Sequence, residues 1–136
     1  MNTIMNWVAL FSGVLAFILI ECSYLYFTRD IFKRQIESVQ RGSRLIMRAS
    51  GAIACYVLLF IAIYFFIWRL RRPAWEAALL GAVIYGVYET TSLAILSAWK
   101  WKTVVQDTLY GAFLFFASTV VYNQQLSGGL YRLSKS

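Results

Sequence analysis

Residues 49–68 have the sequence ASGAIACYVLLFIAIYFFIW, and no side chain in this stretch is charged. A helix of about 20 residues rises about 30 Å, which is the thickness of the hydrocarbon core of a bilayer. The stretch therefore predicts a helix that crosses a membrane once. Three further apolar stretches of similar length occur elsewhere in the chain.

The composition of the whole chain also indicates a membrane protein. Of 136 residues, 60% are hydrophobic and only 14% are charged, whereas soluble domains have about 25% charged residues. The net charge of +7 comes from Lys and Arg between the apolar stretches. It therefore favours anionic lipids as a partner over nucleic acid. Histidine is absent, and Cys22 and Cys55 lack disulfide or metal-site spacing, so both are expected to be small core residues.

Four spans are predicted, near residues 5–27, 49–68, 74–98 and 104–124, with a tail at 125–136. The predicted fold is a single all-α domain, an integral membrane bundle of four transmembrane helices. Short gaps make the second and third spans, and the third and fourth, antiparallel neighbours. The first basic residue is Arg29, so the first span is expected to be retained rather than cleaved as a signal peptide.

The connection between the first two spans, residues 28–48, has its own pattern. Phe32, Ile36 and Val39 recur at helical spacing, with basic residues elsewhere around the helix. This pattern predicts a short amphipathic helix that lies in the membrane interface and ends at Gly42. A solvated basic loop remains the alternative.

The distribution of basic residues predicts an orientation. Five Lys and Arg lie on the side of the termini, and eight lie on the other side. The positive-inside rule then places both termini on the non-cytoplasmic side. Trp7, Trp68 and Trp75 are expected to mark one interface, and Trp99 and Trp101 the other. The eight bases predicted to face lipid head groups are Arg29, Lys33, Arg34, Arg41, Arg44, Arg48, Lys100 and Lys102.

Three acidic residues, Glu21, Glu89 and Asp107, lie inside the predicted spans. Measured from the basic side, their depths are roughly 9, 14 and 5 Å, so all three belong to the same half of the membrane. A charge at the bilayer centre costs about 2.5–3.5 kcal/mol, which makes an intramembrane acid a candidate functional residue.

The helical faces that carry Glu89 and Asp107 are expected to point into the bundle. The third span places Ala82, Gly86 and Glu89 on one small and polar face, and this spacing of small residues lets helices approach closely. The predicted polar cluster comprises Glu21, Glu89, Ser92, Asp107 and Tyr110. The residues predicted for close helix packing are Gly81, Ala82, Gly86 and Gly111.

Three roles remain open for the acids. They could be structural, hydrogen-bonded to hydroxyl groups or paired with Arg29, Lys100 or Lys102. They could form a proton- or cation-coupled transport site, or they could be acid/base or metal-binding residues of a membrane enzyme. No familiar catalytic motif is present, so an enzyme is the least favoured class. Neither a cofactor nor a metal site is predicted.

The motifs around the acids resemble a known family. Residues 88–94 (YETTSLA), Trp99 and residues 107–111 (DTLYG) are similar to the pattern Y-D-x-T-N-L-A, W-P and D-x-x-W-G of domain of unknown function 2177, a bacterial membrane family. Glu21 and Tyr24 similarly match its I-D-x-x-W-L. Glutamates replace two aspartates, Ser92 replaces Asn, Tyr24 and Tyr110 replace Trp, and Lys100 replaces Pro. The resemblance implies the fold but no established activity.

Two functions are therefore expected from the sequence. The first is a structural or accessory subunit of a larger membrane assembly, either an energy-converting complex or a virion membrane, because the chain has almost no extramembrane domain. Other membrane subunits would then be its partners. The second is a small proton- or cation-coupled transporter that uses the intramembrane acids.

Overall fold

A computed structural model of the chain describes residues 3–41 and 48–133. The described chain forms four helices: α1 (Thr3–Val39), α2 (Ala49–Ile63), α3 (Ala74–Ile95) and α4 (Trp101–Leu133). Each helix is long and apolar enough to cross a membrane. This result confirms the predicted all-α membrane fold.

The second span has the predicted limits, because α2 continues as one π-helical turn, Tyr64–Trp68. The third span begins at Ala74 directly after extended Pro73, also as predicted. Its helix ends at Ile95 rather than at residue 98. The fourth helix begins at Trp101 and extends to Leu133, so it includes most of the residues predicted to form a tail.

The connection between α1 and α2 differs from the prediction. Instead of a separate interfacial helix, α1 continues without a break from the first span to Val39. Residues 28–39 contain neither glycine nor proline, so no helix-breaking residue interrupts it. The helix is followed by a turn in which Arg41 has a positive φ of 54°. Gly42, predicted to end the helix, and Arg44 lie outside the described residues.

The central helix of the bundle is α4, which packs along α3 and α1. Phe17 of α1 contacts Phe115 of α4, with ring centroids 5.7 Å apart, and Phe60 of α2, at 4.9 Å. Both Phe17 and Phe115 are fully buried. These apolar contacts hold α1, α2 and α4 around a common core.

The closest approach of α3 and α4 occurs at two glycines. A Cβ atom added to Gly81 would lie 2.8 Å from the backbone carbonyl carbon of Gly111 and 2.9 Å from the Cβ of Phe115. At Gly86 the nearest atom would be the Cγ2 of Thr108, at an ordinary contact distance of 3.5 Å. Gly81 and Gly111 therefore set the helix separation, whereas Ala82 and Gly86 line a groove on the outer surface between α3 and α4.

Trp68 closes one end of the bundle. It is 1% exposed, its Nε1–H donates to Thr119 Oγ1 at 3.0 Å, and its ring stacks on Tyr122 at 4.8 Å. The indole of Trp68 therefore faces the bundle interior, and its expected position at the depth of a membrane interface stays a prediction. The π-helical turn places this side chain inside the bundle, where its N–H has a partner.

The helices α2 and α3 are joined by a short turn, yet within the described residues they do not pack closely along their lengths. The two helices, predicted to be antiparallel neighbours, line opposite sides of one space instead of packing directly against each other, since a short connection fixes only one end of each helix. The space between them forms part of the site described next.

Candidate intramembrane carboxyl site

The three intramembrane acids come from three different helices and are all buried. Glu21 of α1 is 8% exposed, Glu89 of α3 is 1% exposed and Asp107 of α4 is 8% exposed. Their side chains therefore point into the protein rather than toward lipid. For Glu89 and Asp107 this is the orientation expected from the helical faces.

Glu21 on α1 accepts a hydrogen bond from a tyrosine on α4, and Asp107 on α4 accepts one from a tyrosine on α1. The hydroxyl of Tyr110, on α4, donates to Glu21 Oε2 at 2.5 Å. In return, the hydroxyl of Tyr24, on α1, donates to Asp107 Oδ1. The two tyrosine rings stack with centroids 3.5 Å apart and planes 5° apart. Each helix thus supplies one acid and the tyrosine for the other acid.

Two further hydrogen bonds complete the partners of Glu21 and Asp107. Tyr56 of α2 donates its hydroxyl proton to Glu21 Oε1 at 2.9 Å, which connects α2 to the site. Gln106 Nε2 donates to the Tyr24 hydroxyl at 3.2 Å. The acids are therefore bound by neutral donors rather than by the basic residues that the sequence had suggested as one option.

Glu89 has a different donor. The indole N–H of Trp99, in the turn between α3 and α4, donates to Glu89 Oε2 at 2.7 Å. Trp99 is 8% exposed, so its indole faces the protein, and its expected position at the depth of a membrane interface stays a prediction. It anchors Glu89, the acid predicted to lie deepest.

All three acids line one cavity of about 480 Å³, here called the acid cavity. Glu21 and Asp107 reach it from α1 and α4, while α2 and α3 form its two walls. The wall from α2 consists of Cys55, Tyr56, Leu58 and Leu59. The wall from α3 consists of Ile84, Tyr85 and Tyr88, with Glu89 beside them.

Ser92, predicted to belong to the polar cluster, does not bind the acids. Its side chain is buried, and its hydroxyl donates to the backbone carbonyl of Tyr88 at 2.9 Å. This local bond within α3 uses the proton that could otherwise reach a carboxylate. Tyr110, the remaining predicted member, does lie in the cluster through its bond to Glu21.

Both cysteines differ from the prediction. They are free and exposed, not core residues, because an apolar stretch in a membrane helix has a surface-facing side as well as an interior one. Cys55 lines the acid cavity, while Cys22 is absent from its lining.

Several residues of the site were missed at the level of sequence: Tyr24, Tyr56, Tyr85, Trp99 and Gln106. The sequence does contain a pattern that points to one of them, Tyr24. Tyr24 follows Glu21 by three residues, just as Tyr110 follows Asp107, so the same acid and tyrosine share a face on two helices. No comparable spacing connects Trp99 or Tyr56 to an acid.

The predicted lipid-facing bases lie at the surface wherever the structure describes them. Arg29, Lys33 and Arg34 are exposed on the extended part of α1. Arg29 lies 3.9 Å from the carboxylate of its neighbour Asp30, instead of reaching the buried acids. The other exposed bases in the described residues are Arg41, Arg48, Lys100 and Lys102.

The acids do not form a metal-binding group in the described structure. Within residues 3–41 and 48–133, no three Asp, Glu or Cys side chains converge in a way that could hold a metal ion. The acid cavity therefore differs from a chelating site, in which several ligands surround one point.

The fold and this site define a small polytopic membrane protein with a buried cluster of carboxyl groups. A family model described as "Predicted membrane protein (DUF2177)" matches residues 6–123. The chain belongs to this family, as its motifs had indicated. Neither the search of curated proteins nor the search of solved structures found a match for this chain.

Proposed function

We propose that this protein is a small proton- or cation-coupled carrier and that its exchange site is the acid cavity. The observation that supports this function is the convergence of Glu21, Glu89 and Asp107, from three helices, on one cavity. Acids used only to join helices need no such space beside them. A cavity provides room for an ion or small molecule to contact the carboxylates.

The chemistry required is an exchange of a proton for a cation. A carboxylate can hold either a proton or a positively charged ligand, and protonation removes the charge that attracts the cation. Glu89 and Asp107 line the same cavity, so a proton or cation bound at one carboxyl group changes the charge that acts on the other. The other titratable groups that line the cavity or bind its acids are Tyr24, Cys55, Tyr56, Tyr85, Tyr88 and Tyr110.

The test is proton movement in proteoliposomes that contain a trapped pH-sensitive dye. A pH gradient is imposed, and external Na⁺, K⁺ or decyltrimethylammonium is added in turn. We expect at least one cation to accelerate dissipation of the gradient several-fold over protein-free vesicles. The quaternary ammonium ion carries no dissociable proton and cannot itself shuttle protons, and protein-free vesicles given the same concentration measure any leak that it causes in the bilayer.

The matched variants are Glu89→Gln and Glu76→Gln. Glu89→Gln should abolish the cation-dependent movement while the protein remains folded, because a glutamine side chain can still accept the hydrogen bond from Trp99. Glu76 is near the other end of α3 and is paired with Arg72 at 3.4 Å, so its substitution should have no effect. Equal proton movement in wild type and Glu89→Gln, for every cation, would refute the carrier function.

An accessory subunit is the second candidate, and the outer groove between α3 and α4 favours it. The groove has a volume of about 490 Å³ and contains Ala82 and Gly86, flanked by Val83, Val87 and Thr90. Small residues on a lipid-facing surface allow another transmembrane helix to approach closely. A partner subunit would then dock here, outside the acid cavity.

Gentle detergent extraction from native membranes tests this second function. A subunit should be recovered with other proteins at a fixed stoichiometry, and Gly86→Leu should release it from them. Val120→Leu on α4, which is absent from the groove lining, serves as the control. Recovery of the chain alone, or as a small homo-oligomer, would contradict the subunit function and leave the carrier function in place.

We also propose an orientation for the carrier. The acid cavity would lie in the cytoplasmic half of the membrane, with Lys33, Arg34 and Lys102 at the anionic lipid surface and both termini on the opposite side. A protease site added after Ser136 should then be cleaved only from the non-cytoplasmic side in sealed membranes. Cleavage from the cytoplasmic side alone would reverse the orientation.

A further inference from the structure

The walls of the acid cavity are apolar and aromatic, although three carboxyl groups line it. Leu58, Leu59 and Ile84 provide aliphatic surface, while Tyr56, Tyr85 and Tyr88 provide aromatic rings. A volume of about 480 Å³ falls within the range of about 300–1,000 Å³ that is typical of sites for small organic ligands. An inorganic ion would fill little of this space and would leave most of the apolar wall without contacts.

The charge of the cavity is unbalanced. Among the residues that the structure describes, no Lys or Arg lines it, and the donors bound to its three acids are the hydroxyls of Tyr24, Tyr56 and Tyr110 and the indole of Trp99. All of these donors are neutral. Carboxylates without a basic partner attract a cation, and tyrosine rings add a further attraction for it. The acids nevertheless lack the convergence of a metal site within the described residues.

The cavity has an exposed edge on the side of the bundle. Leu58 of α2 is 65% exposed and Tyr88 of α3 is 64% exposed, although both line the cavity. They lie on opposite walls of the gap that the loose packing of α2 against α3 leaves. In a membrane this side of the bundle faces lipid chains, so a ligand dissolved in the bilayer can approach the acids between the two helices.

We propose that the substrate of the acid cavity is a lipophilic organic cation, an amine or quaternary ammonium compound with an apolar tail. This inference rests on the carrier function proposed above and names its substrate class. The cationic group contacts the carboxylates beside the tyrosine rings, and the tail lies against the aliphatic wall. The ligand enters sideways from the bilayer, through the gap bordered by Leu58 and Tyr88.

Cys55 provides a direct test, because it lines the cavity and the chain contains only two cysteines. In a Cys22→Ser variant placed in lipid nanodiscs, Cys55 is alkylated by a lipophilic fluorogenic maleimide. We expect decyltrimethylammonium to slow this reaction at least five-fold and in a saturable way. Decanol and decanoate have the same chain length without the positive charge, and they should slow it less than two-fold.

Two control variants make the result specific. In Glu21→Gln/Glu89→Gln, added to the same background, protection by the ammonium compound should be lost while labelling continues. In the reverse variant, Cys55→Ser, labelling of Cys22 should not respond to the compound, since Cys22 does not line the cavity. Equal protection by decanol, or no protection by the ammonium compound, would overturn the proposal.

The sideways route has its own pair of variants. Leu58→Trp should narrow the gap and slow the onset of protection several-fold. Val57→Trp introduces the same side chain at a neighbouring exposed position that does not line the cavity, and it should leave the onset of protection unchanged. The same slowing in both variants would contradict entrance between α2 and α3.

The labelling experiment and the proton assay can fail separately. Protection of Cys55 without coupled proton movement would establish a cation site and refute the carrier function. Proton movement with Na⁺ or K⁺, combined with no protection by the ammonium compound, would support the carrier and refute this substrate class.

Discussion

The two ends of the bundle each contain a buried tryptophan, but they use it differently. The Trp68 indole donates to the neutral hydroxyl of Thr119 at 3.0 Å, and its ring lies so close to Gly13 that an added Cβ would be 2.8 Å from it. The Trp99 indole donates to the carboxyl group of Glu89 at 2.7 Å, beside a cavity of about 480 Å³. The ring of Trp68 fills the interior at its end of the bundle, whereas the indole of Trp99 holds the carboxyl group of Glu89 at the edge of the acid cavity. The comparison separates a closely packed end from an end that leaves a cavity beside its acids.

The largest expected effect belongs to the Trp68 end. Trp68→Ala should lower the free energy of unfolding by about 3–5 kcal/mol, because it removes a fully buried ring and leaves a void. Denaturant unfolding in detergent measures this loss. The folded fraction should still bind decyltrimethylammonium normally. Trp75→Ala is the control, since Trp75 is 62% exposed. An equal loss of unfolding free energy in this variant would contradict the special contribution of the buried Trp68 ring.

The second prediction concerns the contact that connects the two ends, between α3 and α4. Gly81→Ala should destabilise the protein by about 1–3 kcal/mol, since its methyl group would overlap the backbone of Gly111. Gly86→Ala should be neutral or stabilising in the same unfolding assay, because its methyl group would meet only Thr108 at 3.5 Å. Similar losses in both variants would mean that the helices are not closest at Gly81.

The third prediction tests the acid end. Tyr110→Phe keeps the stacked ring but removes the hydrogen bond to Glu21, and should cost about 1–3 kcal/mol of unfolding free energy. Tyr26→Phe, at a 63% exposed position, should change it by less than about 0.5 kcal/mol. A double-mutant cycle that combines Tyr110→Phe with Glu21→Gln measures the interaction energy between the two side chains. Strict additivity in that cycle would argue against a direct contact.

The smallest effect is expected at Gln35, which lies beyond the acid cavity on α1. Its Oε1 accepts a hydrogen bond from Thr103 at 2.5 Å, while its buried Nε2 has no partner within the described chain. Gln35→Met loses the bond but also removes the unpaired donor, so stability should change by less than about 1 kcal/mol. Thr103→Val keeps the unpaired donor and loses the bond, and it should cost more. The reverse order would contradict the orientation of the amide.

The sequence predicted the features that depend on one helix at a time. Hydropathy located the four spans, and helical periodicity predicted that Glu89 and Asp107 face the bundle interior, because burial of a face is a property of a single segment. The identity of each partner depends on how two helices are positioned against each other. Periodicity does not contain that information, so Tyr56 and Trp99 were missed.

The packing residues show the same limit. Ala82 and Gly86 have the right spacing for a close contact, but Gly81, one residue away, makes it. A rotation of α3 by one residue, about 100°, decides between the two faces. Such a choice depends on how the side chains of α3 fit against α4, here the ring of Tyr85 against Gly111. Small residues on their own indicate where another helix can pack closely, but they do not identify which helix does so.

The two tyrosine–carboxyl hydrogen bonds between α1 and α4 have a consequence for biogenesis. Of the four described helices these are the first and the last in chain order, and each carries the tyrosine for the acid of the other. While α4 is still missing, Glu21 enters the membrane without Tyr110 and has only Tyr56 of α2 as a donor. An acid in lipid that lacks part of its hydrogen bonding is costly, so a bundle without α4 is expected to be less stable than the complete set of four helices.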